Sequence, residues 1–273
     1  MTDQYAVFGN PLGHTKSPQI HSSFAKKTNQ DLEYTAIEAS LNGFNAAIQK
    51  FRKAGGCGAN ITAPFKLEAF AMATDASERA KLAGAANTLL FDGERVFADM
   101  TDGVGLVNDL VKNLGISLTG KRILLVGAGG AARGAILPFI NEKPSLLVLA
   151  NRTPSKAHDI INACQHQDNI RACGLEELTE QSFDVVINAT SASLTGQCPA
   201  LPKSVFLEAE AAYELAYGKG LTPFLALAKN ANVKVLADGV GMLVEQAAEA
   251  FSIWRNIRPE TQEVIKTLKI PIE

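Results

Sequence analysis

Lys121-Arg122-Ile123-Leu124-Leu125-Val126-Gly127-Ala128-Gly129-Gly130-Ala131-Ala132-Arg133 decides the fold of this chain. An apolar run enters a glycine-rich turn and leaves it as a helix of small residues, the arrangement that holds a pyrophosphate. Gly127 permits the tight turn and Gly129 lets backbone approach the phosphates. Ala132 stands where the third glycine of G-x-G-x-x-G/A allows close helix–strand packing. The N–H groups at the helix start then face the anion, helped by the helix dipole. Such a pattern also arises as a plain tight turn, so its weight comes from the strand after it.

That strand, Leu146-Leu147-Val148-Leu149-Ala150, ends in Asn151-Arg152-Thr153-Pro154-Ser155-Lys156. A site selective for NAD puts an acid there to accept from the ribose 2′-OH. Here Arg152 is suited to a 2′-phosphate and to stacking on adenine, Lys156 adds a second charge, and Thr153 adds a hydroxyl. The same residues also read as an ordinary helix start, with Thr153 as N-cap and Pro154 at the first helical position. The two readings are compatible, and together they favour NADP over NAD.

Composition agrees with a soluble enzyme. The 273 residues suffice for one large or two ordinary domains, and 47% hydrophobic with 20% charged residues is a globular balance. A net charge of −2 and a pI near 6.1 argue against nucleic acid as the main partner. A strand is expected at Tyr5-Ala6-Val7-Phe8 and no signal peptide is expected before it, and no apolar run is long enough to span a bilayer. Cys57, Cys164, Cys173 and Cys198 lack metal-ligand spacing and read as reduced thiols of a cytoplasmic protein. His14 and His21, seven apart, suit one helix face but have no third ligand, so no metal is expected. Monomer or homodimer is left open.

Strands and helices alternate along the chain, which predicts an α/β fold with parallel sheets. Strands are expected at Tyr5–Gly9, Tyr34–Ile37, Ala59–Thr62, Asp184–Asn188 and Val233–Leu236. Helices are expected over Pro18–Thr28, Phe44–Ala54, Phe65–Ala73, Gly103–Leu114 and Met242–Arg255, with another after Pro259. The boundary falls near Asp102: residues 1–101 form one domain, 102–237 the nucleotide-binding domain, and 238–273 pack back on the first.

The loops of the first half are loaded with small polar groups. They are Gly9–Pro18, Gly58–Lys66, Gly84–Thr88 and Asp99–Gly103. Loops at the carboxyl ends of strands line the ligand crevice of open α/β sheets, and this set suits a small polyhydroxylated acid. Singly, Ser17 and Thr62 read as helix caps, Asn87 as a turn residue and Asp102-Gly103 as a turn or cap. Four such loops beside a dinucleotide motif tip the balance towards a binding site.

With these loops in view, the chain resembles the shikimate dehydrogenase family. The motifs stand in order: Gly9–Pro18, Gly58–Lys66 (G-x-N-I-T-x-P-F-K), Gly84–Thr88, Met100–Gly105, Gly127–Arg133, Asn151–Thr153 and Asn188–Ser191. Tyr217–Phe224 (Y-x-x-x-x-T-P-F) and Ala237–Ala247 complete the set, so the match runs through essentially the whole chain. The resemblance implies an N-terminal α/β substrate domain, a Rossmann-type NADP-binding domain and C-terminal helices returning to the first. It further implies the reversible NADPH-dependent reduction of 3-dehydroshikimate to shikimate in aromatic amino-acid biosynthesis.

Carried onto this sequence, the family's substrate contacts fall on Thr15, Ser17, Asn60, Thr62, Lys66, Asn87, Asp102, Tyr217 and Gln246. Thr15, Ser17 and Tyr217 would hold the carboxylate and the others the ring hydroxyls. Its cofactor contacts fall on Gly127, Ala128, Gly129, Gly130 and Ala131, on Asn151, Arg152, Thr153 and Lys156, and on Leu215, Gly239 and Glu78. Lys66 and Asp102 are the residues expected to carry the chemistry. Hydride transfer to a ketone builds negative charge on oxygen, which Lys66 would meet with a proton while Asp102 orients it. A helix start and desolvation push a lysine pKa down and a neighbouring carboxylate pushes it up, so sequence leaves the direction open.

Three positions depart from the family pattern: Thr15 in place of serine, Met100 in place of asparagine, and Lys156 in place of arginine. The first two bear on selectivity between shikimate and quinate. Three alternatives remain: an NAD-linked quinate enzyme, another two-domain NADP enzyme such as a folate-handling dehydrogenase, and a non-catalytic NADP sensor. The absent acid after Ala150 weighs against the first, and Lys66 with Asp102 against the other two.

Overall fold

A computed structural model describes residues 2–164 and 168–272. The chain divides into two compact units, residues 1–105 with 244–267, and 106–243 with 268–273.

The first unit contains, in chain order, β1 (Asp3–Gly9), α1 (Ser17–Lys27), β2 (Leu32–Glu38), α2 (Phe44–Lys53) and β3 (Gly56–Ile61). Then come α3 (Lys66–Ala71), β4 (Asp75–Ala76), α4 (Glu78–Ala83), β5 (Thr88–Asp92) and β6 (Arg95–Asp99). The sheet order is β2-β1-β3-β5-β6-β4. Alternation in the sequence suggests a parallel sheet, but only part of this one is parallel; β3 pairs with β5, and β5 with β6, in antiparallel fashion. The cause is a tight hairpin in which Asp92 opposes Arg95 and Gly93, at φ +55°, turns the chain.

One face of this sheet packs Phe8, Phe44, Ile48, Phe65 and Leu89 into a core. Phe65 is fully buried and stacks on Phe44 at 4.8 Å, which pins the start of α3. The other face takes Ala250 and Trp254 against Tyr5, Val7 and Tyr34. Gly58 is needed there, because a Cβ would stand 2.7 Å from the Trp254 indole nitrogen and 2.8 Å from the Leu89 carbonyl oxygen.

The second unit holds β7 (Arg122–Val126), α6 (Gly130–Asn141), β8 (Leu146–Asn151), α7 (Pro154–Asn162), β9 (Ile170–Gly174), β10 (Val185–Asn188), β11 (Ala211–Glu214), α8 (Pro223–Asn230) and β12 (Val235–Asp238). All pairings are parallel in the order β12-β11-β10-β7-β8-β9. The apolar Ile123-Leu124-Leu125-Val126 run suits β7, buried on both faces at the centre. The chain builds outward from β7 in one direction and restarts at β10 in the other, so the loops after β7 and β10 flank a topological switch point.

Three helices carry the chain between the units. α5 (Asp102–Asn108) does not continue regularly to Leu114 as periodicity suggests; it widens into a π turn over Asp109–Asn113. The Leu114 amide donates to the Asp109 carbonyl at 3.0 Å, and the buried Asp109 carboxylate accepts from Tyr213 Oη at 2.6 Å. α9 (Val240–Arg255) is followed by α10 (Gln262–Leu268). The expected 1–101/102–237 division is displaced by a few residues, since the first crossing lies inside α5 and the return lies inside α9. The final residues leave the first unit altogether, with Ile272 packing on the core of the second. Among the described residues no helix is long and apolar enough to cross a membrane.

Candidate active site

The β5–β6 hairpin, which the sequence reading does not foresee, assembles the polar cluster of the first unit. Because β5 runs antiparallel to β3, Thr88 lies opposite Asn60 and Asp99 opposite Thr88. The end of β3, the start of β5 and the end of β6 therefore share one edge of the sheet. Asn60, Asn87, Thr101 and Asp102 converge there, all buried.

At the centre, Lys66 Nζ donates to Asp102 Oδ2 at 2.5 Å. The side chains are 23% and 10% exposed, so the pair is screened from water but reachable. Asn87 Nδ2 donates to Asp102 Oδ1 at 2.7 Å and to Gln246 Oε1 at 3.3 Å. Asn87 Oδ1 accepts from the Thr101 amide at 2.8 Å and the Thr88 hydroxyl at 3.2 Å. One side chain thereby fixes the direction in which the aspartate presents its second oxygen. The backbone carbonyl of Lys66 accepts from the Ala86 amide at 2.9 Å, fastening the lysine to the same edge.

Ser17 and Thr62 do not cap helices. Lys16 occupies the N-cap of α1 and Phe65 that of α3, neither with a side-chain cap. The Thr15 hydroxyl instead donates to Ser17 Oγ at 3.2 Å and accepts from the Ser17 amide at 3.3 Å. Thr62 places its methyl where a Cβ on Gly9 would stand, at 2.3 Å. His14 and His21 share no helix face: His14 is exposed before α1, and His21 is buried within it. Glu78, at the start of α4 in the first unit, is 81% exposed and pairs with Lys81 at 2.9 Å.

The remaining residues lie in the second unit. Gly127 has φ +118°, and a Cβ would meet the Ala189 backbone at 3.0 Å, so glycine is required where the loops after β7 and β10 approach. Gly129 is the N-cap of α6 without a side-chain cap, and a Cβ on Gly129 or Gly130 would meet no protein atom within 4 Å. That leaves a backbone cradle into which helix N–H groups project, the fit a pyrophosphate needs. Thr153 is the N-cap of α7, but its hydroxyl makes no capping bond. Asn151 Nδ2 donates to the Thr153 carbonyl at 2.9 Å and shapes this turn. Arg152 and Lys156 are exposed, and among the described residues neither has an ion-pair partner, which suits a 2′-phosphate.

Tyr217 is 38% exposed on the loop after β11. Gly239 sits where a Cβ would stand 2.1 Å from the Leu215 carbonyl oxygen, so it too must be glycine. Glu214 is absent from the sequence-based set. It is fully buried and accepts from Asn188, Ser193, Thr222 and the Ala216 amide, tying three loops at the carboxyl edge together. Burial raises its carboxyl above the ordinary value, with these hydrogen bonds opposing. Its sequence signal is an acid at the end of an apolar strand, directly before Leu215.

Three family descriptions match the chain: "shikimate dehydrogenase substrate binding domain" over residues 7–89, "shikimate / quinate 5-dehydrogenase" over 109–196, and "shikimate 5'-dehydrogenase C-terminal domain" over 239–269. The chain is 53% identical over 269 residues to a shikimate dehydrogenase (NADP(+)) of Nitrosospira multiformis, covering 98% of each. An Ael1 enzyme from Pseudomonas putida superposes with a TM-score of 0.96 at 56% identity over the whole of both chains. A Thermus thermophilus shikimate 5-dehydrogenase, solved with NADP(H) and shikimate, gives 0.86 at 31% identity and covers 98% of each chain.

Proposed function

The chain belongs to the shikimate dehydrogenase family, and from that premise we propose that Lys66 and Asp102 move and steer the proton of its reaction. The protein is an NADP-dependent oxidoreductase of the shikimate pathway that reduces 3-dehydroshikimate to shikimate reversibly. NADPH supplies the hydride.

As the ketone is reduced, charge grows on its oxygen, and a donor within reach lowers the barrier by protonating it. Lys66 Nζ gives that proton in reduction and takes it back in oxidation. Asp102 holds the lysine nitrogen in place and offsets its charge, while Asn87 keeps the second carboxylate oxygen turned towards it. The observation that carries this assignment is the 2.5 Å Lys66–Asp102 contact, fixed from behind by Asn87 and left partly open to solvent. In the first unit, Thr15, Ser17, Asn60, Thr62 and Gln246 complete the substrate contacts, with Thr15 and Ser17 acting as a linked pair of hydroxyls. The Gly127–Ala131 cradle, Asn151, Arg152, Thr153, Lys156, Leu215 and Gly239 take the nucleotide. We place the enzyme in the cytoplasm, as a monomer or homodimer.

Replacing Lys66 with alanine tests the assignment. Turnover of shikimate should fall by about 10²- to 10⁴-fold, the usual worth of a positioned acid–base group. The dissociation constant for NADP+ should stay within twofold. Near-normal turnover would remove Lys66 from the chemistry.

A further inference from the structure

Beneath Asn60 lies a buried aromatic layer that the proton transfer does not use. Tyr34, on β2, is 6% exposed and stacks on the imidazole of His21 with centroids 4.2 Å apart and planes 5° from parallel. Trp254 and Phe251 also pack near this ring, at 5.3 Å and 6.3 Å. Neither nitrogen of His21 has a hydrogen-bond partner among the described residues. Burial pushes its pKa down to about 3, against a weaker pull from the nearby Asn60 side chain. The imidazole is thus a neutral, flat spacer that sets the plane of the phenol.

The phenol in turn sets Asn60. Tyr34 Oη donates to Asn60 Oδ1 at 2.8 Å. Burial holds the phenol protonated, with the Ser17 hydroxyl as a lesser opposing influence, so it stays a donor. On its nitrogen side, Asn60 faces the Asn87 backbone carbonyl and Thr88 Oγ1, both at 3.2 Å. A carbonyl only accepts, so the amide nitrogen must point there and the oxygen towards Tyr34. Both amide hydrogens are then spent inside the protein, and what Asn60 has left for a ligand is lone-pair capacity on Oδ1.

We propose that Tyr34 is a positioning residue that locks the Asn60 amide, so that Asn60 meets the substrate only as an acceptor and reads a ring hydroxyl as a donor. This rests on Asn60 being a substrate contact. A ketone, ether or deoxy carbon at that ring position offers no hydrogen and is refused.

Steady-state kinetics on Tyr34→Phe, Asn60→Ala and the double variant test it. Tyr34→Phe should raise the KM for shikimate about five- to tenfold, the value of one hydrogen bond. Its kcat and its KM for NADP+ should stay within twofold of the wild type. Asn60→Ala should raise the shikimate KM at least as far, and the double variant no further, because Tyr34 acts through Asn60. An unchanged shikimate KM in Tyr34→Phe beside a raised one in Asn60→Ala would make Tyr34 merely structural and overturn the proposal. An unchanged KM in Asn60→Ala would strike down Asn60 as a substrate contact, and the proposal with it. A measurement on the wild type covers the case in which Tyr34→Phe does not fold. By NMR, the side-chain amide hydrogens of Asn60 should be protected from exchange before shikimate is added and equally so afterwards. Protection that arises only with shikimate would mean that the amide donates to the ligand, contrary to the proposal.

Discussion

The polar groups proposed to meet the substrate are bound to one another, whereas those proposed to meet the nucleotide are bound to very little. In the first unit Lys66 holds Asp102, Asp102 holds Asn87, Asn87 holds Thr101 and Thr88, and Thr88 holds Asn60. In the second, Gly129 and Gly130 present open backbone, the Thr153 hydroxyl caps nothing, and Arg152 and Lys156 stand exposed. The contrast stems from what each ligand asks for. A small ring is told apart by where its hydroxyls sit, so donors and acceptors must be held in one arrangement. A phosphate accepts from any convergent set of N–H groups and cations, so backbone shape and charge suffice. Substitutions in the first set should therefore disturb turnover, selectivity and stability together, and substitutions in the second mainly nucleotide affinity.

The sharpest test of that contrast concerns pH. His21 titrates near 3 in the folded protein against 6.5 when unfolded, because burial disfavours its cation. Its contribution to stability is complete above the unfolded value and is lost as pH falls from 6.5 towards 3. At about 1.4 kcal/mol per unit, this single group should cost about 2 kcal/mol between pH 6.5 and 5. Urea unfolding of the wild type and of His21→Phe at both values isolates this contribution. Equal slopes would show that the layer under Asn60 is not sealed from water.

Smaller, and confined to the nucleotide, is the expected effect of Arg152→Ala. The KM for NADP+ should rise about tenfold or more, equivalent to about 1.4 kcal/mol, with the NAD+ value nearly unmoved. A parallel rise with both nucleotides would mean that Arg152 does not read the 2′-phosphate. Smallest of all is Thr153→Ala. A hydroxyl that caps is worth about 0.5–2 kcal/mol, but this one makes no capping bond, so unfolding free energy should change by under about 0.5 kcal/mol. A loss near 1 kcal/mol or above would assign Thr153 to the helix, as its sequence alone suggests.

Much of this architecture is legible in the chain because apolar periodicity and glycine spacing are local properties. The β7 run, the Gly127 turn and the absence of an acid after Ala150 are read directly from neighbouring residues. The β5–β6 hairpin is missed even though Asp92-Gly93 stands between two runs rich in strand-forming residues. Ser17 and Thr62 look like caps because a hydroxyl before proline is ambiguous until its partners are known. The bonding partners of Tyr34, Thr88 and Glu214 escape a reading of the sequence. Each of the three is a polar group whose importance comes from what lies across the sheet, and that pairing leaves no periodic trace in the sequence. The resemblance to a known family supplies expected site residues, but not the side chains that hold them.

The two-residue turn at Gly93-Glu94 gives the first sheet a ruler. Asn87 and Asp102 stand at opposite ends of the stretch of chain that this turn folds back on itself, so the turn's length counts out where they meet. One residue inserted within either strand would shift its partner by about 3.3 Å and send every second side chain to the opposite face. The same insertion at the tip would only enlarge an exposed bend. Descendants of this gene should therefore accumulate length changes at residues 93–94 and almost none between 95 and 102, although neither stretch contains Lys66.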